Sequence, residues 1–198
     1  ETWLAGAAAS GTDLEKYDAT LLALDQKSLR LQAGLGSVEA AGAAISASLA
    51  RVEALAIAIA RETGGAVIVQ NLAADPSAPQ TSIDTWLPGT ARDLQDGFNR
   101  ALAAFCREKS LLMFDVAAIA NLVGQATFSA GRYWYLAKYP FAEAVAPLYA
   151  FRLVQVLAAM SGKSHRVLVI DLDNTMWGGI IGDDGLEALR RDGFDIGL

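Results

Sequence analysis

The chain has 198 residues, enough for one large domain or for one domain and part of another. Hydrophobic residues make up 53% and charged residues 19%, which is ample material for a core; the net charge is −6 with no basic clusters, a balance that argues against nucleic acid or an anionic membrane as partner. A single cysteine, Cys106, excludes an internal disulfide and fits a reducing cytoplasm.

In chain order, the opening residues ETWLAGAAASGTDLEKYD have little periodicity and no initiating Met, as in a processed product or a piece of a longer chain. Ala19–Asp25 is a short apolar run ending in a carboxylate, the pattern of a buried parallel strand. Ser37 is a good N-cap, with Glu39 in the first turn of an Ala-rich helix running from Val38 to Glu62 that Gly64 and Gly65 stop. Its most apolar stretch, Ala54–Ala60, lies between Arg51 and Arg61 and falls well short of the roughly 20 residues of a membrane span. Ala66–Asn71 (AVIVQN) is a second strand. The three prolines of Asp75–Gly89 mark a surface loop. Thr90 and Asp93 approximate a capping box that opens a helix to about Lys109. Within it Cys106 is read as a small buried side chain, against a catalytic thiol as the alternative.

Leu111–Asp115 is a third strand, followed by a short helix ending near Gly124. The aromatic segment Phe128–Phe141 then precedes a helix from about Ala142 to Met160. A fourth strand follows over Arg166–Asp171. Strands alternating with helices predict an α/β fold: a three-layer parallel sheet flanked by helices. The expected domains are 1–162 and 163–198. Ligands of such sheets bind at the carboxyl ends of the strands. Here those ends carry Asp25, Asn71, Asp115 and Asp171, and for the first three the alternative is that they cap the next turn.

The chemistry-bearing string is Val167–Thr175, VLVIDLDNT. Side chains at i and i+2 of an extended strand share a side, so Asp171 and Asp173 converge where the strand leaves the sheet. Two carboxylates this close repel each other and are costly to desolvate. A hard cation such as Mg²⁺ relieves both effects, because it prefers carboxylate and phosphate oxygens. Two acids that merely cap a turn would give the same Asp-x-Asp.

DLDNT after a hydrophobic strand and before Trp177-Gly178-Gly179 resembles motif I of the haloacid dehalogenase superfamily. The resemblance makes Asp171 a nucleophile that forms an aspartyl-phosphate and Asp173 the general acid/base. It makes Thr175 the residue that orients the loop, and places Mg²⁺ on the Asp171 side chain and the Asp173 backbone carbonyl. The longer string VLVIDLDNTMWGGIIGDDGLEAL, with RYWYLAKYPFA upstream, resembles the FkbH-like proteins of that superfamily. It implies the first strand and flap of a Rossmann-like phosphatase domain after an SGNH-hydrolase-like (flavodoxin-like) domain. It also implies a phosphorylated three-carbon substrate and its glyceryl unit loaded onto an acyl carrier protein. Only 23 residues follow Thr175, and the superfamily's further Ser/Thr, Lys/Arg and acidic motifs are not found in them. The expectation is a site incomplete on this polypeptide, with little phosphatase activity of its own.

By the same resemblance Asn71 stands where an oxyanion-hole Asn would sit in the upstream domain. No Gly-Asp-Ser turn occurs there, and the one histidine, His165, follows the domain, so an ordinary Ser-His-Asp triad is not expected. His165 is read as a strand-edge residue, with catalysis as the alternative. Arg132 and Lys138, among Tyr133, Trp134 and Tyr135, either line a pocket for an anionic group or face solvent beside a packed aromatic seam. A non-catalytic module that docks a carrier protein or a substrate is the rival to an enzyme.

Overall fold

The computed structural model describes residues 17–75, 78, 81–129, 140–163, 169, 171, 180, 182 and 183. Strand β1 (Ala19–Leu22) leads through a four-residue helix, α1 (Gln26–Leu29), to the long helix α2 (Val38–Thr63). Strand β2 (Ala66–Gln70) follows, then a 3₁₀ turn at Ser82–Thr85, helix α3 (Ala91–Glu108) and strand β3 (Leu112–Phe114). Two short helices, α4 (Val116–Val123) and α5 (Gln125–Phe128), precede a 3₁₀ turn at Glu143–Val145 and helix α6 (Ala146–Met160). The chain divides into two units, Glu1–Val156 and Leu157–Leu198.

The first unit is built on a parallel sheet with strand order β1-β2-β3 among the described residues. Parallel neighbours need long crossovers, and α2 and α3 supply them. Register explains how the sheet is filled. Leu22 stands beside Val69, and Val69 beside Met113, so these three side chains share a face. Leu22 and Val69 join Val52, Ala56 and Ile59 of α2 and Leu94, Phe98, Leu102 and Phe105 of α3 in one core, against which Met113 packs. The neighbouring pair Gln70 and Phe114 falls on the opposite face. There the Tyr149 hydroxyl donates to Gln70 Oε1 at 2.5 Å, and Phe114 meets the Tyr149 ring edge-on at 5.0 Å. Both faces of β2 are therefore covered, and Val67–Gln70 are all buried.

Local signals act where the sequence places them. The Ser37 hydroxyl accepts from the Ala40 amide, and Gly64, at φ 62°, ends α2 in the left-handed conformation. Thr90 Oγ1 accepts from the Asp93 amide, while Asp93 reaches back one residue beyond the expected partner, to the Gly89 amide at 2.9 Å. Gly89 itself has φ +84°, and a Cβ there would lie 2.4 Å from the Gly34 carbonyl oxygen.

Three expectations need correction. The strands are shorter than the apolar runs: β1 ends at Leu22, β2 at Gln70 and β3 at Phe114, because each run finishes in a capping residue that belongs to the following turn. Helix α2 ends within a residue of where it was expected, but its apolar content reaches well beyond Ala54–Ala60. By length and composition both Val38–Thr63 and Glu143–Met160 would suffice to cross a membrane. In α2 part of that apolar content is used in the core, with Ala41, Val52, Ala56 and Ile59 buried, while Val38 and Ile57 are exposed. Finally, the expected buried strand Arg166–Asp171 is described only at Val169 and Asp171. Both lie outside regular structure and are exposed, Val169 at 88%. A parallel strand is buried by the strands and helices around it, and Val169 has no such cover among the described residues.

Candidate functional site

Of the strand-end residues, Asp25, Asn71 and Asp115 are all engaged in turns. Asp25 Oδ1 accepts from the Ser28 amide at 2.7 Å, closing the first turn after β1. Asp115 N-caps α4 by accepting from the Ala118 amide at 3.0 Å. Asn71, buried at 5% exposure, donates from Nδ2 to Asp115 Oδ1 at 2.7 Å and accepts from the Ala117 amide at 3.0 Å. Its amide thus ties the end of β2 to the start of α4, and the capping alternative describes what these three side chains do. Asp171 is exposed. Asp173, Thr175, Arg132, Lys138 and His165 lie outside the described residues.

A cleft of about 350 Å³ opens at the carboxyl ends of β1, β2 and β3, the edge at which open α/β sheets take ligands. None of Asp25, Asn71 and Asp115 lines it. Its walls come from their neighbours: Gln26 of α1, Asp75 after β2, Gln95 and Asn99 of α3, Asn121 of α4 and Gln125 of α5. Asn99 clamps the Leu72 peptide, accepting from its amide at 2.9 Å and donating to its carbonyl at 2.8 Å. Gln95 donates to the same carbonyl at 3.1 Å and accepts from Gln26 Nε2 at 3.2 Å. These carboxamides are held in fixed orientations. The Arg92–Asp96 pair beside them spans 3.8 Å with both side chains about half exposed, so it adds little stability. Sequence reasoning passed over this site. Its one local signal is the i,i+4 spacing of Gln95 with Asn99, which puts two carboxamides on one face of α3; Asn121 and Gln125 lie on separate helices either side of Gly124.

Cys106, the candidate thiol, is buried among the α2–α3 core residues, and burial pushes its pKa up. A thiol that holds its proton is a poor nucleophile, so the side chain serves packing.

No family model matches the chain, and no curated protein matches it. Among solved structures, it is similar to the N-terminal part of a Bacteroides fragilis protein, described as containing a phosphatase domain and complexed with Mg. The TM-score is 0.69 at 21% sequence identity, over 91% of this chain and 46% of that one. The likeness establishes a shared α/β fold. This chain spans less than half of its neighbour's length.

Proposed function

We propose that this chain carries the first motif of a Mg²⁺-dependent phosphoryl-transfer site of the haloacid-dehalogenase type. The observation that carries the reading is the string VLVIDLDNT at Val167–Thr175 running into Trp177-Gly178-Gly179. A shared fold with a protein described as holding a phosphatase domain and Mg supports it.

In this reading an Asp171 oxygen attacks phosphorus of a phosphate monoester, and the bond to the ester oxygen breaks as Asp173 gives that oxygen a proton. Asp173 then takes a proton from a water molecule that attacks the aspartyl-phosphate, releasing phosphate and restoring Asp171. Thr175 orients the loop. The donors suit Mg²⁺, since a carboxylate of Asp171 and the Asp173 carbonyl are hard oxygens and Asp171 is open to solvent. Mg²⁺, when bound, supplies positive charge that offsets the phosphate oxygens and the paired carboxylates.

The finer reading is an FkbH-like, cytoplasmic enzyme that takes a glyceryl-phosphate-type metabolite and transfers the glyceryl unit to an acyl carrier protein, with Arg132 and Lys138 in the substrate-binding part; Asn71, tied to Asp115 and Ala117, is left out of it. A second reading is a non-catalytic SGNH-like module that docks the carrier or a substrate. The absence of histidine from residues 1–162 favours it for that part of the chain.

One experiment separates them. In the protein as its gene encodes it, Asp171→Asn is expected to lower Mg²⁺-dependent phosphate release by about a thousandfold or more, leaving thermal stability unchanged. Carrier-protein affinity would stay intact in that variant. Phosphate release that survives the substitution, or never depends on Mg²⁺, removes the enzyme reading.

A further inference from the structure

We propose that the cleft at the carboxyl ends of β1–β3 binds a neutral, hydroxyl-rich small molecule, a polyol or sugar-like group. The inference is independent of the phosphoryl-transfer reading, because every residue it uses lies in the first unit.

The cleft's size, about 350 Å³, is that of a site for a small ligand. Its chemistry narrows the class. A carboxamide presents a donor and an acceptor side by side, and a hydroxyl does both as well. Among the described residues five carboxamides line the cleft, those of Gln26, Gln95, Asn99, Asn121 and Gln125. Asn99 and Gln95 are locked by the Leu72 peptide, so they meet a ligand without first having to be ordered.

Gln125 adds an unmet demand. Its Oε1 is buried and has no hydrogen-bond partner among the described residues, while its Nε2 donates to Asn121 Oδ1 at 3.4 Å. Turning the Gln125 amide over alone would set oxygen against oxygen; turning Asn121 with it would put an N–H at the buried position instead, and a hydroxyl, both donor and acceptor, answers either. A buried acceptor left unmet is costly, and a ligand O–H answers it.

Charge excludes the obvious rival. Among the described residues, Asp75, Asp84 and Asp96 line the cleft against one guanidinium, Arg92, which is already paired with Asp96. An anion entering here meets excess negative charge. Among the described residues the lining also has no aromatic side chain, so they offer a flat aromatic ligand no stacking platform.

The test is a titration of the 198-residue chain, with ¹⁵N-labelled side-chain amides, against glycerol, glucose, inorganic phosphate and methylammonium. Saturable shifts of the Gln95, Asn121 and Gln125 amide signals with a polyol are expected, at a Kd on the order of millimolar. Gln125→Met, close in length and lacking the acceptor, should raise that Kd about fivefold or more without lowering the melting temperature. Asn121→Ala, at an exposed position, should weaken binding as well, by freeing the Gln125 amide. The proposal fails if no polyol gives a saturable shift, if neither substitution changes the Kd, or if phosphate or methylammonium binds as well as the polyols.

Discussion

Asn71 shows how one side chain can be read two ways from sequence and one way in three dimensions. A polar residue closing the apolar run AVIVQN looks like a ligand-facing group. In the folded chain its amide is spent within the protein, donating to Asp115 and accepting from Ala117. The distinction was not legible, because Asp115 is 44 residues away and only the β2–β3 register brings the two together. Replacing Asn71 by Leu should therefore act first on stability. Two hydrogen bonds are lost and the Ala117 amide is left without its acceptor, a cost of about 2 kcal/mol. Urea unfolding of Asn71→Leu measures it, and an unchanged midpoint would show that the tie contributes nothing.

Among the elements, the long helices were the most legible. Ser37 and Gly64 bound α2 at the positions their chemistry predicts, and Thr90 opens α3. Helices α1 and α5, four residues each, are too short to generate a period and were not foreseen. Glycines look alike in sequence yet differ in what they do. Gly64 has φ 62° with open space around it, so alanine there should cost only about 1 kcal/mol. Gly89 combines φ +84° with a backbone oxygen 2.4 Å from where a Cβ would stand. Alanine at that position must also separate the two loops, for a loss of about 3 kcal/mol. Paired denaturation curves of Gly64→Ala and Gly89→Ala test this; equal losses would mean the close approach is easily relieved.

At the scale of the whole molecule, Cys106 reports on the core. It packs with Phe98, Leu102 and Phe105 of α3 against α2, and burial raises its pKa. The folded thiol thus keeps its proton to higher pH than the unfolded one. The sign follows: its contribution to stability is complete below the ordinary thiol value and is lost as pH rises through the raised one. At pH 8 a disulfide reagent should label the native chain at least about a hundredfold more slowly than the urea-unfolded chain, since labelling requires opening of the core. Comparable rates would mean that α3 detaches readily.

The alternation of apolar runs, helix signals and glycine stops determined the α/β class by itself, because strand and helix periods and caps act over a few residues. The Asp171–Asp173 spacing likewise belongs to the local chain. Burial of the Val167–Ile170 run does not, since a strand is covered only by other elements, and Val169 stands exposed. The carboxamide cleft was decided by tertiary structure alone: Gln26, Gln95, Asn99, Asn121 and Gln125 are up to 99 positions apart, and only the parallel sheet, gathering its strand ends on one edge, makes them neighbours.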